Sequence, residues 1–310
     1  MYMNELVSII MSTYNESLEM LDISIKSIIN QTYKNIQFII INDNPNRKEM
    51  DEFLEQKSKE YSDIIIYIRN KCNIGLVESL NKGIKRANGT YIARMDADDI
   101  SFPDRIEKQI NFLKENLCDI VGASVKTINE QNQIIGEIKV PIIHDNIVRF
   151  YNYGSCLLHP TWLVKREVFF ELRGYRNIYA CEDYDFITRA IRKGYRLGNV
   201  PEFLLKYRVR NTGISVSAEA QQKLVMYYII KNQKNINELK EEDFCEYLES
   251  KRYKNNLSMM NKFIVKKNKL KSNKNIMNIL WTIITLITNK YLYIHFIMLV
   301  KNRKRNKFTF

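Results

Sequence analysis

Residues 90–99 read "TYIARMDADD", a short apolar run that ends in three carboxylates, Asp96, Asp98 and Asp99, within four positions. A run of this kind predicts a buried strand whose end opens onto a polar edge. Working outward, "LVSIIMS" (6–12), "IQFIIIN" (36–42), "IIIYIRN" (64–70) and "DIVGASVKTI" (119–128) have the same buried-strand character. Between them lie segments with helical spacing: 17–31 (Leu18, Leu21, Ile25, Ile28, Ile29), a polar 48–60, 76–87, and 103–116 with Pro103 suited to a first turn. Alternating strands and helices predict βαβ units, hence an α/β fold with a mainly parallel sheet and helices on both faces. Ligands bind such sheets beyond the carboxyl ends of the strands. Asp43 and Asp96 each close a predicted strand, so they should meet at one edge. No GxGxxG or GxxxxGK[ST] occurs, so a dinucleotide or P-loop enzyme would lack its phosphate cradle.

Charge divides the 310-residue chain in two. Residues 1–217 carry 29 basic and 28 acidic groups, whereas 218–310 carry 19 basic and 7 acidic, with no acid after Glu249. The first part is electrostatically an ordinary enzyme domain, and the second would be drawn to an anionic surface. Five widely spaced cysteines without a CxxC fit a reducing compartment better than a disulfide framework or a zinc site. The N-terminus has neither a basic n-region nor a cleavage motif, so a cytoplasmic location is expected.

Three carboxylates this close raise one another's pKa unless a cation neutralises them. All-oxygen ligands at Asp96 and Asp98 suit Mg²⁺ or Mn²⁺, with substrate phosphates completing the shell. The plainer alternative is a solvated acidic turn in which Asp99 or Ser101 caps the next helix.

The wider pattern resembles family 2 glycosyltransferases with the GT-A fold. The blocks are "VSIIMSTYN", "SIINQTYKNIQFIIINDN", "NIGLVESLNKGIKRANGTYIARMDADD", "LHPTWLVKREVFFELRGYR" and "EDYDFITRAIRKGYR", in the family's order over roughly residues 5–215. The resemblance implies a catalytic domain over 1–217, with a nucleotide-sugar half of about 1–125 and an acceptor half of about 126–217. Ser12, Thr13, Tyr14 and Asn15 would line the donor pocket. Asp43 would bond the base, usually uracil, although the family often has two acids where this chain has Asn42 and Asp43. Asn73 and Gly75 match the N-x-G turn, Asn81 and Arg86 the helix beneath the donor, and Arg94 leads into the DXD motif of Asp96, Ala97 and Asp98. His159 falls in a block at the acceptor cleft wall. Asp183 would be the base and Glu182 its support, while Asp185 suits a helix N-terminus. One carboxylate within reach of the acceptor hydroxyl suffices for that role. Where relatives commonly read Tyr-Arg-x-His, this chain has "YRVR", with Arg208 and Arg210. Arginine cannot ligate a metal, but it can clamp a phosphate.

Residues 218–310 are expected to form a helical, basic, membrane-associating region. The stretches 276–288 and 291–300 are apolar but interrupted at Lys290, which suits interfacial helices on an anionic membrane better than a spanning one. Packing on the enzyme or on a second copy of the chain is the alternative, and the apolar runs argue against a nucleic-acid-binding arm. Together these features predict an inverting transferase on the inner face of the cell membrane. It would move a sugar from a nucleotide-sugar, a UDP-sugar by the resemblance, to a growing bacterial surface glycan carried on a lipid diphosphate. A nucleotidyltransferase would need a Gly-rich basic loop after the first strand, which "STYNES" is not. A non-catalytic binding subunit would not need Asp96, Asp98 and Asp183 intact.

Overall fold

Strand β1 (Val7–Thr13) lies in the interior of a sheet because its apolar run can be covered on both faces. The computed structural model describes residues 5–210 and 218–272. After β1 come α1 (Leu18–Ile29), β2 (Ile36–Asn42), α2 (Lys48–Glu60), β3 (Ile65–Arg69), α3 (Leu76–Arg86) and β4 (Tyr91–Asp96). The chain continues through β5 (Ile100–Ser101), α4 (Arg105–Glu115), β6 (Ile120–Ile128), β7 (Ile134–Ile138), α5 (His144–Tyr151), β8 (Leu163–Lys165), α6 (Arg166–Glu171), α7 (Glu182–Lys193) and β9 (Leu197–Arg208). Three more helices follow: α8 (Glu219–Asn232), α9 (Glu241–Glu249) and α10 (Lys251–Ser272).

The strand order is β3-β2-β1-β4-β8-β6-β9-β5, with β7 paired to β6. The β3-β2-β1-β4 half is parallel. β8 then runs antiparallel to both β4 and β6, and β6 lies parallel to β9. The sheet is therefore mixed, parallel in its first half, as the α/β reading of the sequence predicts. Two-residue periodicity sorts each strand between the two faces. Val7, Ile9 and Met11 of β1 face the core under α1, α2 and α4, and Ile10 faces the core under α3, α6 and α7. The α3 side is very close: a Cβ on Gly83 would stand 2.6 Å from Ile10 Cγ2 and 3.0 Å from Ile41 Cδ1.

The helix expected to start at Pro103 starts at Arg105 instead. The Pro103 carbonyl accepts from Thr32 N (2.8 Å) in the loop after α1, while Phe102 N donates to Leu204 O of β9 (3.1 Å). Packing continues past residue 217. Val225, Met226 and Ile229 of α8, with Ile236 and Phe244, belong to the same apolar cluster as Phe186 and Ile187 of α7. Among the described residues no helix is long and apolar enough to cross a membrane. The stretches 276–288 and 291–300 lie outside the described residues.

Candidate active site

Parallel register brings the ends of β1, β2 and β4 to one edge, with Ser12 opposite Asp96 and Thr13 opposite Asn42. Glu16 ties the loop after β1, accepting from Thr13 Oγ1 (2.7 Å) and Tyr14 N (2.8 Å). Asn44 Nδ2 donates to Tyr14 O and Asn15 Oδ1, and the Tyr14 side chain stays exposed. Asp43 is buried and organises the next turn. It accepts from Asn70 Nδ2 (2.8 Å), Ile74 N (2.9 Å) and Gly75 N (2.8 Å), and Asn73 Oδ1 also accepts from Gly75 N (2.9 Å). Gly75 enters α3 at φ +84°, where a side chain would be strained. The predicted donor residues Ser12–Asn15, Asp43, Asn73, Gly75 and Asp96 therefore share this edge.

Asn81 does something the sequence did not indicate. It pairs with the backbone of Tyr175, donating from Nδ2 to the carbonyl and accepting from the amide, both at 2.9 Å, and so joins the two halves of the domain. Arg86 is not brought to the site. It lies exposed at the far end of α3, one turn before Asn88 and Gly89, which donate to Gln37 and Ser8 near the starts of β2 and β1.

The carboxylates at the end of β4 are supplied with arginine. Arg94 and Asp96 stand two apart on one strand and share a face, with Nη2 donating to Oδ1 at 2.5 Å. Arg94 is 5% exposed, and its Nε and Nη1 have no protein partner. Asp98 Oδ2 lies 2.7 Å from Arg210 Nη2, which is also 3.6 Å from Glu16 Oε1. Burial and the neighbouring Asp96 still push the Asp98 carboxyl up to about 6, with Arg210 pulling against them. Ala97 is buried between the two acids.

Asp99 does not cap a helix. Its Oδ1 accepts from Arg208 N at 2.7 Å, and burial with the charges of Asp96 and Asp98 pushes its carboxyl well above the usual range. The Arg208 guanidinium is spent on the protein itself, donating to Asp98 O (2.8 Å), Asn129 O (2.6 Å) and Asn132 Oδ1 (2.6 Å). Phosphate clamping by Arg208 is therefore not what this arrangement offers, and Arg210 is the arginine at the mouth.

The second acidic pair opens α7. Glu182 is pushed up to about 8, first by burial and then by the charge of Asp183, against the pull of backbone amides and Arg94. Asp183 is pushed up to about 6 by burial. The Tyr184 amide, which donates to its Oδ1 at 2.6 Å, holds it down, as does Arg94. Burial thus raises both adjacent carboxyls toward neutral pH, the range in which a carboxyl can serve as acid or base. Asp185 is fully buried and pairs with Arg189 (2.7 Å), which anchors the carbonyls of Leu172 and Gly174. It lies in the first turn of α7, as expected of an acid at a helix N-terminus, and there it also forms a buried ion pair.

His159 lies below Glu182, with Nδ1 3.9 Å from Oε1 and Nε2 2.8 Å from Tyr175 Oη. It packs on Trp162 and Tyr175, and burial together with Arg94 pushes it well below its usual range, so it stays neutral. Sequence reasoning missed Glu16, Tyr175 and the role of Arg94 as the charge between the acidic pairs. Thr13-x-x-Glu16 is a spacing that could have signalled the first, and the Arg94-x-Asp96 spacing the last.

A parallel half, joined through Arg94 and Asn81 to a mixed half with its own acidic pair, is the architecture of the GT-A fold. The family model described as Glycosyl transferase family 2 matches residues 8–172, and the chain belongs to that family. It is 33% identical over 226 residues to an O-antigen biosynthesis glycosyltransferase of Escherichia coli, covering 72% of this chain and 87% of the relative. An uncharacterized glycosyltransferase of Methanocaldococcus jannaschii is 39% identical over 231 residues, covering 73% and 78%. Among solved structures, a mannosyltransferase from Pyrobaculum calidifontis in complex with GDP-Man and Mn²⁺ superposes with a TM-score of 0.60 at 15% identity. That match covers 96% of this chain and 86% of its own. The S. aureus TarS fragment in complex with UDP-GlcNAc gives 0.60 at 15%, over 90% and 79%.

Proposed function

We propose that the enzyme inverts the anomeric centre of a nucleotide-sugar, a UDP-sugar in the first instance, while transferring the sugar to a growing bacterial surface glycan on a lipid diphosphate. The observation that carries this reading is the pair of acidic sites on either side of Arg94. One, at Asp96 and Asp98, suits the donor diphosphate, and the other, at Glu182 and Asp183, suits the acceptor. Asp183 takes the proton of the acceptor hydroxyl as its oxygen bonds to the anomeric carbon. The bond from that carbon to the diphosphate oxygen breaks, and the electron pair leaves with the nucleoside diphosphate. Arg94 holds Asp96 and keeps positive charge beneath both acidic pairs. The names of relatives in polysaccharide synthesis support the glycan class, and the UDP-GlcNAc and GDP-Man complexes of structural neighbours support a nucleotide-sugar.

Among the described residues no three His, Cys, Asp or Glu side chains group to hold a metal. Two oxygen donors remain suitable for Mg²⁺ or Mn²⁺, because such ions are commonly held by one or two carboxylates together with substrate phosphates. Burial and the nearby Asp96 both raise the Asp98 carboxyl, and a bound cation would offset part of that cost. Asp96 and Asp98 would hold the ion, which when bound stabilises charge on the departing diphosphate.

The excess of basic over acidic groups after residue 217 supports attachment to the anionic inner face of the membrane, where lipid-linked acceptors reside. A panel of UDP- and GDP-sugars, assayed for donor hydrolysis with Mn²⁺ and with EDTA, tests the reading. Turnover of a UDP-sugar is expected, and failure of every nucleotide-sugar to bind or turn over refutes it.

A further inference from the structure

The last strand in sequence, β9, leads a cation to the carboxylate loop. Arg208, 4% exposed, fastens the end of β9 to that loop through the Asp99 side chain and the Asp98 carbonyl. Two residues on, Arg210 is 29% exposed in its side chain and lies on Asp98 Oδ2 at 2.7 Å. The same Nη2 approaches Glu16 Oε1 at 3.6 Å. Glu16 is fixed in turn by Thr13 and Tyr14, so Arg210 spans the loop after β1 and the loop after β4 at the donor mouth.

We propose that Arg210 is a built-in counter-ion for Asp98, which competes with a divalent cation for that carboxylate and turns to the donor diphosphate when the nucleotide binds. The proposal rests on the reading of Asp96 and Asp98 as the seat of the cation. A guanidinium on Oδ2 takes a lone pair that a metal would use, and a metal nearby repels it. A diphosphate offers a stronger partner in its place, because planar guanidinium groups bind phosphate oxygens with two parallel hydrogen bonds. Arg210 is therefore held by Asp98 and Glu16 without donor, and by phosphate with it. Asp98 is released for the cation at the moment the donor arrives.

Binding of Mn²⁺ alone to the full-length protein, followed by electron paramagnetic resonance of the free ion, tests this without turnover. Arg210→Gln should bind Mn²⁺ about tenfold more tightly than the wild type, and Arg210→Lys, which keeps the charge, should stay close to the wild type. UDP binding in EDTA should weaken about tenfold in Arg210→Gln. Unchanged or weaker Mn²⁺ affinity in Arg210→Gln overturns the proposal, as does unchanged UDP binding in EDTA. Asp98→Asn separates the two levels: it should abolish Mn²⁺ binding, and undiminished binding would instead sink the metal-site reading on which the proposal rests. Since Arg210 is partly exposed, circular dichroism melting should show the variants folded.

Discussion

The position of the acid limb in the pH profile of kcat/KM decides which carboxyl of the pair is the base. A base must be unprotonated, so activity is lost on the acid side of its pKa. Asp183 at about 6 would be about 90% ionised at pH 7 and about 10% at pH 5. Each pH unit below 6 should then cost about tenfold, or about 1.36 kcal/mol. Glu182 at about 8 would be only about 10% ionised at pH 7, and as base it would give a limb two pH units higher. The free-enzyme profile is read from initial rates at subsaturating acceptor and fixed donor.

Variants fix the assignment. Asp183→Asn should lower kcat/KM about 100- to 10,000-fold, the usual range for removing a general base. Glu182→Gln should keep an acid limb, because burial is the largest cause of the raised Asp183 carboxyl. A wild-type limb near 8 that disappears in Glu182→Gln, with Asp183→Asn retaining a tenth or more of the activity, would refute the reasoning.

Glu182 also makes stability depend on pH. Its folded pKa lies above the ordinary 4.5, so its contribution is fully present below 4.5 and is lost as pH rises through about 8. Glu182→Gln should therefore gain on the wild type between pH 5 and 8 in urea melts, by up to a few kcal/mol. An unchanged difference across that range would count against the burial argument. Gly83→Ala should destabilise by about 1–3 kcal/mol in the same assay, because the new methyl meets Ile10 and Ile41 in a packed interface. Asp98→Asn should lower transfer at least tenfold in Mn²⁺, and full activity would remove Asp98 from the mechanism. Flotation of the full-length protein should show binding to vesicles containing anionic lipid and loss of binding in high salt. Equal binding to zwitterionic vesicles would argue against an electrostatic anchor.

The parallel half of the fold was legible because strands buried on both faces read as unbroken apolar runs. β1, β2, β3 and β4 were placed within a residue or so of their observed bounds. β5 and β8, of two and three residues, are too short to show any period, and the outward positions of β7 are exposed, so these strands were not read. Asp96 and Asp98 stood out because acids at the end of an apolar run are costly, and Glu182 and Asp183 because the "EDYDF" block resembles one of the family's. Their partners were harder to see. Arg208 acts on carbonyls and side chains 76 to 110 residues away in sequence, which no local spacing reveals. Asp185 and Arg189 do stand at helical i, i+4 spacing, a signal of the pair that forms.

The segment before α7 is where these distant partners converge. From the donor half, Asn81 holds the backbone of Tyr175. From α7 itself, Arg189 holds the carbonyls of Leu172 and Gly174. From the C-terminal helices, Gln222 Nε2 donates to Ala180 O (2.9 Å), Glu241 accepts from Asn177 N (2.8 Å), and Ile236 O accepts from Arg176 Nη2 (2.7 Å). Ala180 sits at φ +58°, a conformation a non-glycine residue keeps only when its surroundings impose it. Two residues later come Glu182 and Asp183. Helices α8 and α9 thus help set the geometry of the acidic pair, besides leading into the basic segment proposed to meet the membrane. Cutting the chain at 217 would remove both the packing against the acidic pair's segment and the basic segment proposed to meet the membrane, so the two proposals can be tested separately only in the intact protein.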